Sequence, residues 1–256
     1  MSVTSPRPDA DTGLEGVSQD LALASLAMAR RFHAGGTMWC ASVAWPFHAH
    51  HVAVEFVHLV IVGKRALAAL TLPPGADVVA TLRASARAGD MVVALARADD
   101  TEVADAMRRA AAWGVETLWI GHGPRPPAGA ADHVVWLDTD DVLEASEQFV
   151  RVYHLLWELT HVCFEHPGLL KVDQACTDPA TAAGSGGPVC ITCSDEGRLA
   201  EVIRLDGDEA VVRSAEGTER IDVMLIDPPR TNDLVLVHAG SAITNVSTSG
   251  TSGARP

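Results

Sequence analysis

The sequence is poor in cysteine and lacks any long uninterrupted apolar run. Five cysteines in 256 residues do not make a disulfide scaffold, and an odd count with one close pair, Cys190 and Cys193, is typical of reduced thiols in a cytoplasm. No run of 18 apolar residues occurs, which argues against a membrane-spanning helix. The polar first residues show no basic stretch followed by an apolar one, so we expect no signal peptide and a cytoplasmic location.

Basic residues are also scarce, with 19 Lys and Arg against 33 Asp and Glu and a formal net charge of −14. A chain of this charge repels phosphate backbones and anionic lipid surfaces. The balance therefore argues against nucleic acid and membranes as partners. The 48% of hydrophobic residues is ordinary for a globular protein, and the length suffices for one large domain or two smaller ones.

Predicted strands and helices alternate over residues 15–168. Strands are predicted where short apolar runs occur, at residues 67–72, 91–96, 116–120 and 134–137. Helices are predicted where apolar residues recur at helical spacing, at residues 16–31, 41–58, 77–88, 101–113 and 142–165. This alternation predicts right-handed βαβ units and an α/β domain with a parallel sheet, preceded by a disordered lead at residues 1–14.

The composition changes after residue 168. Residues 169–189 are rich in Gly, Ala, Ser and Pro, which predicts a flexible linker. Residues 190–246 contain short β-rich segments separated by turns, which predicts a small barrel. That region has 5 basic and 11 acidic residues, which argues against oligonucleotide binding, and residues 247–256 are expected to be a disordered tail.

The predicted barrel begins with two thiols, Cys190 and Cys193, and ends near His238. Two thiolates at this spacing can share a soft metal ion or a redox role, and an imidazole could supply a third ligand. A single pair of cysteines is not a zinc-finger signature, and a histidine after a strand is often structural. The residues alone leave the metal, redox and structural interpretations open.

Three segments of this region, Cys-Ile-Thr-Cys-Ser-Asp-Glu, Gly-Arg-Leu-Ala-Glu-Val and Asp-Leu-Val-Leu-Val-His-Ala-Gly-Ser-Ala-Ile, resemble the HypC/HupF family of [NiFe]-hydrogenase assembly chaperones. The resemblance implies a small OB-like barrel that carries an Fe(CN)₂CO precursor between a HypD-like scaffold and the hydrogenase large subunit. It implies that Cys190 is the essential thiolate, with Cys193 as a second sulfur and His238 as the family histidine. Because Cys190 lies inside the chain, its nitrogen is an amide and cannot be a free amine ligand. A barrel kept only as an interaction module is the alternative.

The first domain has its own candidate site. His51 and Glu55 are four residues apart, which places them on one face of a helix, and His154 lies on the long helix 142–165. A carboxylate and an imidazole in one cleft can move a proton between adjacent carbons of a sugar. The same three groups could hold zinc in a His₂Glu site with an open position. The alternative is a pair of exposed histidines and a solvated ion pair.

A second resemblance covers residues 15–168. The segments Gly35-Gly36-Thr37, His51-x-x-x-Glu55 and His154-Leu-Leu, in this order, resemble a SIS domain, and within that group the sedoheptulose 7-phosphate (phosphoheptose) isomerases. The resemblance implies a three-layer α/β/α fold, a homo-oligomer and a sugar-phosphate ligand. It assigns Gly35, Gly36 and Thr37 to a ligand loop, Glu55 to the base and His154 to the acid, and His51, Glu55 and His154 to a metal site.

The turn after a strand and the metal set of this region depart from the isomerase pattern. The turn after the strand at 91–96 carries Arg97, Asp99 and Asp100 where the family has hydroxyl and amide groups, and carboxylates repel a phosphate dianion. The fourth metal position of the family, a Gln, falls on Ser146. We therefore keep three hypotheses: a maturation protein whose SIS-like domain dimerises or binds a small molecule, a phosphosugar isomerase with a regulatory barrel, and a metal-storage protein that uses the histidine-rich stretch 48–58.

Overall fold

The computed structural model describes residues 14–58, 63–171 and 197–247. After a 3₁₀ turn at Glu15–Val17, the first domain contains six helices and five strands within these residues. In chain order they are α1 (Ser18–His33), β1 (Met38–Ala41), α2 (Pro46–Val57), β2 (Ala69–Thr71), α3 (Val78–Ser85), β3 (Met91–Leu95), α4 (Thr101–Ala112), β4 (Glu116–His122), β5 (His133–Leu137), α5 (Val142–Glu165) and α6 (Pro167–Leu170).

The five strands form one parallel sheet in the order β2-β1-β3-β4-β5. Helices α1, α2 and α5 pack on one face, and α3 and α4 pack on the other. Strand β3 is buried along its whole length because helices cover both faces of the sheet. The predicted α/β parallel-sheet domain is confirmed. Among the described residues, no helix is both long and apolar enough to cross a bilayer.

Local signals explain most helix ends. Helices α3, α4 and α5 begin after Asp77, Asp100 and Asp141, whose carboxylates accept hydrogen bonds from backbone N–H groups of the first turn. Helix α4 ends just before Gly114, which has a φ of 72° that favours glycine. Pro46 starts α2 at a position where no backbone N–H is needed.

One strand is missing from the prediction, and one predicted helix begins later than expected. The sequence predicts a helix at residues 41–58, and the structure has helix α2 at Pro46–Val57, preceded by strand β1 at Met38–Ala41. Strand β1 lies between β2 and β3, and its apolar residues are covered on both faces, so they show no alternation that would mark a strand.

Five more strands form a closed barrel: β6 (Arg198–Asp206), β7 (Glu209–Ser214), β8 (Gly217–Asp222), β9 (Leu234–His238) and β10 (Ser241–Asn245). Its core consists of small and β-branched residues such as Ala200, Val212 and Val237. A tight turn joins β9 to β10, with Ala239 and Gly240 at positive φ. The predicted small barrel is confirmed.

The barrel packs against helices α3 and α4. Leu234 of β9 is buried in the same apolar cluster as Trp113, just after α4. Glu201 of β6 is only 3% exposed. Its carboxylate accepts hydrogen bonds from Arg83 Nη2 at 2.6 Å, Arg109 Nη1 at 2.9 Å and Trp113 Nε1 at 2.9 Å. A buried and fully partnered carboxylate therefore joins the two domains.

Several predicted regions fall outside the described residues. Helix α6 continues to Leu170, and residues 172–189 of the predicted linker are not described. The same holds for Cys190 and Cys193, for residues 1–13 of the predicted lead and for residues 248–256 of the predicted tail.

Candidate functional site

His51, Glu55 and His154 come together where α2 packs against α5. Glu55 Oε1 lies 3.2 Å from His51 Nε2 and 3.3 Å from His154 Nε2. One nitrogen of each imidazole and one carboxylate oxygen all lie within 4.8 Å of one another. The structure therefore gathers the three residues that the sequence singled out in this domain.

Tyr153, which the sequence analysis did not single out, completes this cluster. Its hydroxyl lies 2.6 Å from His51 Nδ1, and burial, together with the charge of Glu55, raises the pKa of Tyr153 to about 12. An ionised Glu55 can only accept, so the ring proton of a neutral His51 lies on Nε2 and the Tyr153 hydroxyl donates to Nδ1. The only feature of the sequence that draws attention to Tyr153 is that it is the single tyrosine of the chain and directly precedes His154.

The donor set of this cluster fits a zinc ion. Two imidazole nitrogens and a carboxylate oxygen are typical zinc ligands, and a fourth position would remain for water or substrate. The side chains of His51 and His154 are 42% and 45% exposed, so an ion can reach them from solvent. When Nε2 of His51 binds a metal, its proton moves to Nδ1, and Tyr153 can accept it as a hydrogen bond.

A cleft of about 530 Å³ opens beside Glu55 and His154. Such a volume accommodates a small sugar. Trp157 and Glu158 of α5 line it, as do Lys64 and Glu165, which form an ion pair. The cleft thus joins the His–Glu–His cluster to a partly apolar wall that carries both charge signs.

The turn after β3 is filled by its own side chains. Asp100 Oδ1 accepts a hydrogen bond from Val103 N at 3.0 Å, and Asp99 pairs with Arg97 at 3.1 Å. Helix α4 therefore directs its N-terminal dipole at a carboxylate of the protein itself. A phosphate placed at this helix end would meet two negative charges.

The predicted ligand loop stays a prediction. Gly35, Gly36 and Thr37 lie before β1, at the amino end of the strand, whereas ligands of open α/β sheets bind at the carboxyl ends. Packing explains the glycine at 36, since a Cβ there would lie 2.4 Å from the carbonyl oxygen of Gly89. The backbone N–H of Thr37 donates to an Asp90 carboxylate oxygen at 2.9 Å.

Ser146, at the fourth metal position of the isomerases, contacts another histidine. Its Oγ lies 2.9 Å from Nε2 of His48, a residue that is only 2% exposed. Burial, with a smaller effect of His51, lowers the pKa of His48 to about 4. His48 is therefore neutral at physiological pH.

In the barrel, His238 is the last residue of β9. Strand β6 begins at Arg198, which pairs with Val237, so the chain enters the barrel beside His238. In the sequence, Cys190 and Cys193 precede Arg198 by only a few residues, but they lie outside the described part of the chain.

Comparison with known protein families identifies the barrel region. Residues 199–251 match the model of the HupF/HypC family. The HupF/HypC match begins within β6, includes His238 and continues past β10, so it covers nearly the whole barrel. Cys190 and Cys193 precede its first residue. No curated protein matches the chain.

Solved structures resemble the first domain. A phosphoheptose isomerase from Francisella tularensis superposes with a TM-score of 0.53 at 13% identity, covering 59% of this chain and 89% of its own. Phosphoheptose isomerase GmhA from Neisseria gonorrhoeae gives a TM-score of 0.50 at 15% identity, covering 58% of this chain and 89% of its own. At these identities the likeness shows a SIS-like fold. The chain thus joins a SIS-like domain to a HupF/HypC-like barrel.

Proposed function

We propose that the chain is a cytoplasmic [NiFe]-hydrogenase maturation protein whose barrel handles the Fe(CN)₂CO precursor. The observation that carries this proposal is the match of residues 199–251 to the HupF/HypC family, over a closed barrel of the size expected for such a chaperone. Its partners would be a HypD-like scaffold and the hydrogenase large subunit. The SIS-like domain would serve as a homodimerisation or small-molecule domain.

The iron fragment would be cargo, held by the Cys190 thiolate with Cys193 as a second sulfur and His238 nearby. Thiolates are soft ligands suited to low-valent iron, and imidazole is a common iron ligand. The register of β6 on β9 supports this assignment because it places Gly197 at the His238 end of the barrel. In the sequence, Cys190 precedes Gly197 by seven residues.

This proposal predicts cyanide and carbonyl infrared bands on the protein after coexpression with its HypD-like scaffold. The bands should be lost in Cys190→Ala, because the thiolate is the anchoring ligand, and should weaken in His238→Ala. Cys176→Ala is the matched control, since it removes another thiol of the same segment, and it should keep the bands. A wild-type protein without bands would refute the proposal.

A second candidate is a sugar isomerase in the first domain, with Glu55 as base, His154 as acid and zinc as the candidate metal. The contacts of Glu55 Oε1 with both imidazoles favour it. The carboxylates of Asp99 and Asp100 disfavour a sugar phosphate at the end of α4. For this reason the isomerase is second to the maturation protein.

Zinc binding by this cluster is expected to depend on Glu55. Glu55→Gln removes one of three ligands, and loss of a partner of a bound metal weakens affinity by about tenfold or more, which isothermal titration can measure. Glu158→Gln changes another carboxylate of the same cleft and should bind zinc like the wild type. Equal zinc affinity of Glu55→Gln and wild type would refute the metal site.

Equal conversion of sedoheptulose 7-phosphate by Glu55→Gln and wild type would refute the isomerase.

A further inference from the structure

Two adjacent apolar side chains project from the barrel immediately after β8. Met224 is 69% exposed and Leu225 is 71% exposed, although both neighbours of this pair are held by the barrel. Val223 is buried in the barrel core, and Ile226 packs against it. The core therefore anchors the segment on both sides and turns the two intervening side chains outward. We call residues 223–226 the tip.

Backbone hydrogen bonds fix the tip. The N–H of Met224 donates to the Asp222 carboxylate at 2.7 Å, and the N–H of Val223 donates to the Asp208 carbonyl at 3.0 Å. These bonds connect the tip to the end of β8 and to the β6–β7 turn. The exposure of Met224 and Leu225 is thus part of the hydrogen-bonded, folded structure.

The tip lies beside the turn that carries His238. Asp222 at the end of β8 pairs with Ser241, and Ser241 pairs with His238. The N–H of Asp222 also donates to the carbonyl oxygen of Gly240 at 2.9 Å. Barrel closure therefore places the exposed apolar pair next to the proposed iron-handling end.

The border of the tip is acidic. Arg220 pairs with Glu209 at 3.0 Å and with Asp206 at 3.5 Å, and Arg204 pairs with Asp206 at 3.5 Å. Asp222 and Asp208 accept hydrogen bonds from the tip, and Glu209 and Asp206 follow them along the paired strands. Asp227 lines a cleft with Ile226 and Arg230. With Arg204 and Arg220, the border therefore has five acidic and three basic residues. A complementary partner surface has an apolar recess with basic side chains around it.

Packing of the barrel on the first domain leaves this tip uncovered. The contacts with α3 and α4 include Glu201 and Leu234, which are paired with each other across β6 and β9, and Arg213, which donates to the carbonyls of Arg83 and Ala86. The tip instead follows the end of β8, where β8 pairs with β10. A partner could therefore reach it without displacing the SIS-like domain.

We propose that the tip is the docking surface for the protein that exchanges the iron fragment at the His238 end. This rests on the proposed maturation function, under which that protein is the HypD-like scaffold. Met224 and Leu225 enter an apolar recess of the scaffold, and the acidic border meets basic side chains around it. Docking at this place brings the scaffold directly over the turn of residues 238–241.

The test is a titration of the purified full-length protein with the HypD-like scaffold of the same organism. The double variant Met224→Ser, Leu225→Ser should raise the Kd by about tenfold or more, as expected for central apolar contacts of an interface. Leu143→Ser is the matched control, because Leu143 is 72% exposed but lies on α5, and it should leave the Kd unchanged. Leu225→Lys gives a second test, since it directs a cation at a basic border and should weaken binding at least as much.

The outcomes separate this inference from the proposed function. If the wild type binds the scaffold and shows the infrared bands while both tip variants bind equally well, the docking surface is refuted and the maturation function stands. If the wild type neither binds the scaffold nor shows the bands, the maturation function fails and the docking assignment fails with it. A Kd raised in both tip variants and unchanged in Leu143→Ser supports the tip.

Discussion

Replacing Glu201 with alanine should lower the free energy of unfolding by about 3–5 kcal/mol, the loss seen when one partner of a buried ion pair is removed. The Glu201 side chain is 4% exposed, and it neutralises Arg83 and Arg109, whose side chains are 30% and 13% exposed. It also accepts the indole N–H of the buried Trp113. Without the carboxylate, Arg109 and the indole lose a partner in a place that water reaches poorly.

Urea unfolding followed by tryptophan fluorescence measures this effect, since Trp113 lies at the interface. Glu209→Ala is the control: Glu209 pairs with Arg220 in the same barrel, but both side chains are 57% exposed, so the loss should be below about 1 kcal/mol. Limited proteolysis should also cut between the domains faster in Glu201→Ala. Equal stability of the two variants would mean that Glu201 does not hold the barrel in place.

Helix α5 shows where sequence reasoning works. It was predicted at residues 142–165 and spans Val142–Glu165. Its signals are local, because Asp141 caps the first turn and Pro167 prevents continuation. The four-residue spacing of His51 and Glu55 is also local, which is why their proximity could be predicted.

Strand β1 shows where sequence reasoning fails. A short central strand such as Met38–Ala41 is apolar on both faces and has no period to read. The loop at the carboxyl end of this strand is residues 42–45.

Long-range contacts are beyond the reach of patterns in one sequence. Tyr153 meets His51 only because α2 packs against α5, and no spacing marks that pair. Glu201 is one of 11 acidic residues in the predicted barrel region, and nothing local distinguishes it from the solvated ones. Burial and partners, which determine its role, arise only from the way the two domains pack.

The His51–Glu55–His154 cluster and the barrel lie on opposite sides of the sheet. His51, Glu55 and His154 lie on the face covered by α1, α2 and α5, whereas the barrel packs on α3 and α4. Every residue that lines the cleft beside Glu55 belongs to the first domain. The chemistry of each site can therefore be tested independently, and Glu55→Gln should leave the infrared bands of the barrel unchanged.

Glu116 gives the second large effect on stability, at the amino edge of the sheet. One carboxylate oxygen lies 3.0 Å from His133 Nε2, and the other lies 2.9 Å from Arg31 Nε. The hydrogen bond from His133, followed by that from Arg31, lowers the pKa of Glu116 from 4.5 to about 2 against an opposing effect of burial. Because the folded pKa is the lower one, this stabilisation is complete above about pH 4.5 and is lost as the pH falls toward 2.

Glu116→Gln should therefore lower the free energy of unfolding by about 3 kcal/mol at pH 7 and by roughly half as much at pH 3. Urea unfolding of both proteins between pH 3 and pH 7 measures the difference. Glu147→Gln, an exposed position on α5, should match the wild type across this range. A Glu116→Gln deficit that does not change with pH would mean that packing around the side chain, and not its charge, accounts for the loss.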